Sequence, residues 1–151
     1  MDAFVRHFIK SSLAWLSGGV LLGAAMAAKP ELVIYRPAHV HMNLLGFVTM
    51  MIFGVGYHLL PRLGGSPLRW KWMPVFHLWV ANAGLALMAT GFFLHPSDAA
   101  TGRAILLVGA ISSAAGALSF VLNIWRTLDA GVVRLAELQR ARPLPLREQS
   151  M

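Results

Sequence analysis

Residues 36–63 read RPAHVHMNLLGFVTMMIFGVGYHLLPRL and decide the fold. Between Arg36 and Arg62 this stretch contains no lysine, arginine, aspartate or glutamate, and it exceeds the ~20 apolar residues that a helix needs to cross a bilayer. It is therefore expected to span a membrane. His39 and His41 lie at its start, and side chains that can ionise inside a bilayer are costly, so they usually mark a functional site.

Three other segments also lack charged residues, namely 11–28, 72–97 and 104–125, so the chain contains four stretches of membrane-spanning length. The chain is 57% hydrophobic and 13% charged, whereas a soluble domain carries about 25% charged residues. We predict an all-α fold, an integral membrane four-helix bundle in one domain, 1–128. The predicted helices are 8–28, 37–61, 73–95 and 102–128. Residues 129–151 form a basic cytoplasmic tail, which either extends the fourth helix or lies as a short amphipathic helix on the membrane surface.

The distribution of basic residues predicts the orientation in the membrane. If successive helices cross the membrane in opposite directions, one side holds the N-terminus, the loop 62–71 and the tail. That side carries ten of the 13 lysines and arginines, whereas the other side carries Lys29, Arg36 and Arg103. This bias predicts that both termini are cytoplasmic and that the chain is a multi-pass protein of the cell inner membrane, in contact with the lipid bilayer. The net charge of +7 thus reflects topology, and no nucleic-acid partner is expected, since the sequence contains no folded reading module.

The paired histidines are the leading candidates for a binding site. Successive positions on a helix are about 100° apart, so His39 and His41 point in directions about 200° apart and face different spaces. One interpretation is a pair of neutral imidazoles bonded to water and carbonyl groups at the interface. A second is axial ligation of haem iron, because imidazole is a standard axial ligand and haem is largely apolar. A third is a copper or zinc site that also uses His95.

Two other histidines, His58 and His77, end the second predicted helix and begin the third. Across the short loop they could form a second haem site or a hydrogen-bonded pair near the headgroups. His41 and His58 are separated by roughly 25 Å along a helix at ~1.5 Å per residue, so they cannot ligate the same metal within one chain. The sequence contains no cysteine, which excludes covalent c-type haem attachment.

Small residues recur at four-residue spacing in two of the predicted helices. Gly19 and Gly23 form such a pair in the first helix, and Gly109/Ser113 and Ser112/Gly116 do so in the fourth. Small residues allow two helix backbones to approach closely. They favour either packing within the bundle or an interface between protomers.

The histidine segment resembles subunit I of the haem-copper oxidases, most closely the cbb-type cytochrome oxidases and more distantly nitric oxide reductase. Its His-Val-His, Phe-Gly-Val-Gly-Tyr and Leu-Leu-Pro-Arg-Leu motifs are similar to the tenth helix of that family, and Arg-Pro-Ala-His at 36–39 is similar to a motif of its second helix. The resemblance implies haem b as cofactor, with His39 and His41 as ligands of haem iron. If haem binds here, Arg36, one helical turn before His39, is placed to pair with a propionate because guanidinium matches carboxylate geometry, and Asn43 would assist.

The sequence departs from that family in size and in its copper ligands. The family's catalytic subunit has twelve or more helices in three four-helix arcs, and its copper is held by three histidines on a helix that has no counterpart here. The resemblance therefore implies a single arc that works as a homo-oligomer, a dimer or trimer, with His41 of neighbouring protomers as the axial pair. Electron transfer or the binding of nitric oxide or oxygen is the expected role, with an electron-donor protein or a quinol as partner.

Two other classes of function remain open. One is a non-catalytic accessory subunit of a larger respiratory complex, which would use its small-residue helix faces as contacts. The other is a copper- or zinc-binding membrane protein that uses the histidines at the outer surface. Whether the chain is an enzyme stays undecided at this point, because the family's copper-site histidines are missing.

Overall fold

Four long helices make up the computed structural model, which describes residues 1–141. They are α1 (Ala3–Ala28), α2 (Pro30–Leu63), α3 (Met73–Leu94) and α4 (Ala99–Ala141), and each is long and apolar enough to cross a membrane. The predicted all-α integral membrane fold with four spanning helices is thereby confirmed. The orientation of the termini remains a prediction.

The helix ends differ from the expected positions where charged residues lie at the membrane boundary. Helix α1 begins at Ala3, before the expected residue 8, and helix α4 continues through residues 129–141. Arg6 and Lys10 are exposed, and such side chains can extend their charged ends into the headgroup region, so they do not stop a helix. The rest of the predicted tail, residues 142–151, lies outside the described residues.

Helix α2 changes its hydrogen-bonding pattern along its length. It starts as a 3₁₀-helix at Pro30–Tyr35, is α-helical at Arg36–His41, widens to a π-helix at Met42–Thr49 and returns to an α-helix at Met50–Leu63. Two side chains donate hydrogen bonds to backbone carbonyls in and next to the π-helical segment. The Asn43 amide donates to the His39 carbonyl at 2.8 Å, and Thr49 Oγ1 donates to the Leu44 carbonyl at 2.8 Å. Side chains that insert in this way perturb the regular helix ladder.

Glycines bring α3 and α4 into close contact as an antiparallel hairpin. Gly102, Gly109 and Gly116 recur at seven-residue intervals on α4 and are buried. A Cβ added at Gly109 would lie 2.6 Å from the Gly84 carbonyl oxygen of α3. The small residues of α4 therefore pack inside the chain, with backbone against backbone.

The short connection between α3 and α4 is capped by an aspartate. Asp98 accepts a hydrogen bond from the Thr101 backbone N–H at 3.1 Å, which satisfies one of the free donors at the start of α4. Hydrogen bonds from the Thr101 side chain and backbone hold the pKa of the Asp98 carboxyl below its ordinary value. The cap is thus ionised over the physiological pH range.

The core lies where all four helices meet, toward the end of the bundle that carries the α2–α3 loop. Its buried members come from every helix: Val5, Phe8, Met50, Tyr57, Leu78, Ala81 and Ile124. Toward the other end, α1 packs against α2 through Gly18, Gly19 and Gly23, whose missing side chains make room for side chains of α2. This second contact positions His39 and Asn43 of α2.

Candidate functional site

The imidazole of His41 is held by its own helix in a form that can bind a metal. Its Nδ1 lies 2.8 Å from the Pro37 carbonyl oxygen, and since a carbonyl only accepts, Nδ1 carries the proton. In a neutral ring the lone pair is then on Nε2. Metal-binding histidines commonly donate their other N–H to a backbone carbonyl, which fixes the ring and raises the basicity of the ligating nitrogen.

Helix α3 supports the other side of this ring. The ring centroids of His41 and Phe92 are 4.9 Å apart and their planes are inclined by 42°. His41 is half-buried. Within residues 1–141, His77 Nε2 is the only buried side-chain nitrogen or oxygen without a hydrogen-bond partner, so His41 Nε2 is not among such buried atoms. The Nε2 of His41 is therefore not completely enclosed in the protein.

His39 is held between α1 and α2. Its Nδ1 donates to the Gly19 carbonyl of α1 at 2.8 Å, so its lone pair also lies on Nε2. A Cβ at Gly23 would come within 2.8 Å of His39 Cε1, and a Cβ at Gly19 would come within 2.5 Å of the Asn43 amide nitrogen. The glycines of α1 thus form a cradle for His39 and for Asn43.

The two imidazoles occupy different helix interfaces. His39 contacts α1, whereas His41 contacts α3. His95 follows the end of α3 and is exposed. In the part of the chain that the structure describes, no group of three histidine, aspartate or glutamate side chains could hold a metal ion, so the copper or zinc interpretation finds no ligand set there.

Arg36 begins the α-helical part of α2 and is exposed. Its neighbour Tyr35 packs on Phe93 of α3, with ring centroids 5.0 Å apart. Together with the contact between His41 and Phe92, this places an aromatic seam between α2 and α3 beside the histidines. Arg36 remains positioned at the edge of that seam.

His58 adopts the opposite tautomer from the paired histidines. Arg62 Nη1 donates to His58 Nδ1 at 3.0 Å and also to the His58 carbonyl. Because Nδ1 accepts, the neutral ring carries its proton on Nε2. This arrangement withholds both ring nitrogens from a metal.

His77 is fully buried in an aromatic cage formed by Phe8, Phe53, Tyr57 and Phe120, whose ring centroids lie 4.5 to 6.0 Å away. Its Nδ1 lies 3.2 Å from the Tyr57 hydroxyl, so Tyr57 rather than His58 is its hydrogen-bond partner. Its Nε2 has no partner. A porphyrin could reach His77 only if the core opened. The cage has no signature in the sequence, because its members come from three different helices.

Comparison with known proteins adds a distant relative. No protein-family model matches the chain. It is 24% identical, over an alignment of 156 positions, to the Cbb3-type cytochrome c oxidase subunit CcoN1 of Stutzerimonas stutzeri. The alignment covers 83% of this chain and 33% of that subunit, so the chain spans about a third of the length of the relative.

The fold and the site together define an integral membrane protein with four spanning helices and histidines inside one of them. The likeness to the oxidase subunit supports a distant relationship to subunit I of the haem-copper oxidases.

Proposed function

We propose that this protein is a membrane-bound b-type cytochrome that binds haem b through His41 of α2, with His39 as the second candidate ligand. The observation that carries the proposal is the state of the His41 ring. Its Nδ1–H donates a hydrogen bond to the Pro37 carbonyl, so the lone pair of the neutral ring lies on Nε2. This nitrogen belongs to a membrane-spanning helix. The likeness to an oxidase subunit supports the same assignment.

The residues around the histidines fit an apolar macrocycle with charged edges. Apolar side chains next to His41 on the outward face of α2 are exposed, among them Val40 at 37% and Leu44 at 56%. Haem is largely apolar and requires such surroundings, whereas its propionates require cations. Arg36, exposed one helical turn before His39, would supply that cation.

Haem would supply one-electron redox chemistry, and with an open axial position the binding of a small gas such as nitric oxide or oxygen. The chain's own contribution is orientation. The Pro37 carbonyl holds the proton on His41 Nδ1, and Phe92 restricts rotation of the ring. The Asn43 amide donates to the backbone carbonyl of His39, and the Gly19 carbonyl accepts a hydrogen bond from the His39 ring.

The proposal includes a homo-oligomer, a dimer or trimer, in which His41 of neighbouring protomers forms the axial pair. An outward apolar stripe on α2 supports it, because Val40, Leu44, Val48 and Ile52 are 37% to 57% exposed and follow helical spacing from the histidines. An electron-donor protein or a quinol would reduce such a cytochrome. Two histidine ligands would close the iron and favour electron transfer.

The test is a reduced-minus-oxidised absorption spectrum of the detergent-purified protein, expressed with ample haem. Wild type is expected to show b-type bands, which His41→Ala removes and His39→Ala removes or shifts. His58→Ala is the matched control, because it deletes an imidazole of the same helix that Arg62 already engages. Addition of carbon monoxide to the reduced sample reports whether an axial position is open. A colourless protein that co-elutes with other membrane subunits would refute the cytochrome and support the accessory-subunit alternative.

A further inference from the structure

The far end of the bundle from the paired histidines contains a cavity of about 660 Å³ with a strongly basic lining. Three cations from separate parts of the chain line it: Arg62 at the end of α2, Lys71 in the following loop and Arg134 on α4. Asp2 is the acidic residue of the lining. The cavity thus carries an excess of positive charge that an anion would neutralise.

The loop that carries Lys71 is fixed onto α4 by buried side chains. Thr127 Oγ1 accepts the Arg69 backbone N–H at 2.9 Å, and the Asn123 amide accepts from the Trp70 N–H and donates to the Trp70 carbonyl, each at 3.1 Å. Asn123 and Thr127 are 0% and 1% exposed. These bonds fix the backbone of the loop next to Lys71 against α4, the helix that carries Arg134. The backbone on both sides of the cavity is therefore set before any ligand arrives, which lowers the ordering cost of binding.

The start of α1 also borders the cavity. Asp2 and Phe4 line the cavity, and the Asp2 side chain makes no capping bond to the helix. The first backbone N–H groups of a helix have no partner within the helix and favour anions.

The cavity also has apolar surfaces that a free inorganic anion would not use. Phe4 and Leu68 contribute to its lining, and the nearly enclosed Tyr57 forms part of it beneath them. Beside it Leu63 is 79% exposed and Trp72 is 60% exposed, at the end of the bundle where interfacial tryptophans anchor membrane proteins. The combination of cations and apolar surface matches a lipid headgroup joined to its glycerol and acyl chains.

We propose that this cavity binds the phosphate of an anionic phospholipid, from the leaflet that faces this end of the bundle. Basic pockets between membrane helices are general sites for anionic headgroups. Arg62 and Arg134 would bond phosphate oxygens through their guanidinium groups, whereas Lys71 acts as a point charge. The site is remote from the paired histidines, and it does not depend on haem.

The test is a titration of the detergent-purified full chain with dioctanoyl phosphatidylglycerol, followed by calorimetry. The variant Lys71→Gln/Arg134→Gln removes two cavity cations that are both exposed, so folding is not at risk. The matched control is Arg69→Gln/Arg140→Gln, which makes the same charge change in the same loop and helix outside the cavity. Dioctanoyl phosphatidylcholine and inorganic phosphate are titrated in parallel.

Phosphatidylglycerol is expected to bind the cavity variant about tenfold or more weakly than wild type, and the control variant within about twofold of wild type. Phosphatidylcholine and inorganic phosphate are expected to bind wild type more weakly than phosphatidylglycerol does. An equal loss in both double variants would mean that net charge alone attracts the lipid, and would overturn the site. Inorganic phosphate that binds wild type as tightly as phosphatidylglycerol would assign the cavity to a free anion and overturn the lipid.

Discussion

Substitution of Gly109 by alanine tests the close contact between α3 and α4. The added Cβ would lie 2.6 Å from the Gly84 carbonyl oxygen and 2.6 Å from the Met88 backbone nitrogen. Unstrained contacts between heavy atoms lie at about 3.5 to 4.0 Å. Since both obstacles are backbone atoms, the two helices must separate by roughly 1 Å along this contact.

The expected cost is the difference between two opposing effects. Overpacking of a well-packed interior costs about 1 to 3 kcal/mol. Replacement of glycine by alanine within a helix recovers about 0.5 to 1 kcal/mol. With the midpoints of the two ranges, the net loss of stability for Gly109→Ala is about 1 kcal/mol, which lowers the melting temperature by a few degrees.

The assay is thermal unfolding of the purified protein in detergent, with Gly18→Ala as the matched control. The same Cβ at Gly18 meets only the terminal methyl of Met42, which can rotate away. Gly18→Ala is therefore expected to equal or exceed wild type in melting temperature. The reasoning fails if Gly109→Ala is as stable as wild type, or if both variants lose stability equally.

Three other substitutions test the histidines and the cap. His77→Phe retains a ring in the aromatic cage and removes the unpartnered Nε2, but it also removes the hydrogen bond between His77 and the buried Tyr57 hydroxyl. Its melting temperature should therefore be lower than that of wild type, with unchanged haem bands, and loss of the bands would make His77 a ligand. Asn43→Ala removes the hydrogen bond to the His39 carbonyl and should shift the haem bands or lower the haem content while the chain still folds. An unchanged spectrum would show that Asn43 does not contribute to the haem site. Asp98→Ala should lower the melting temperature at neutral pH. The pKa of the Asp98 carboxyl is lower in the folded state than in the unfolded chain. The cap therefore stabilises the folded protein at pH values above the unfolded pKa, and this stabilisation is lost as the pH falls through the folded pKa. A difference in melting temperature between variant and wild type that persists in acid would contradict this.

The spanning helices were predictable because their signal is a simple absence of charge. The run from Arg36 to Arg62 excludes charged residues over a membrane-crossing length, and one such run occurs in each helix. Helix ends were less predictable. Pro37 looked like a first helical residue, yet a 3₁₀ turn from Pro30 precedes it, and Pro61 lies inside α2 rather than at its end. Proline is tolerated in a first helical turn, where its missing N–H has no partner, whereas Pro61 leaves the carbonyl four residues before it without a regular helical donor.

The candidate site was predictable in its residue types but not in its geometry. Two histidines in a spanning segment pointed to a ligand, whereas the carbonyl partners that fix their tautomers, Pro37 and Gly19, have no sequence signature. The π-helical segment has no sequence signature either, and the side chains of Asn43 and Thr49 bond the carbonyls of His39 and Leu44 around it. The partnership of His77 with Tyr57 arises from packing between helices.

The most direct measurement of the central claim is chemical rescue of His41→Gly. This variant is expected to lack the b-type bands of wild type, and imidazole added during haem loading is expected to restore them by filling the space that the His41 side chain leaves. Intact b-type bands in His41→Gly without added imidazole would contradict the assignment of His41 as the ligand.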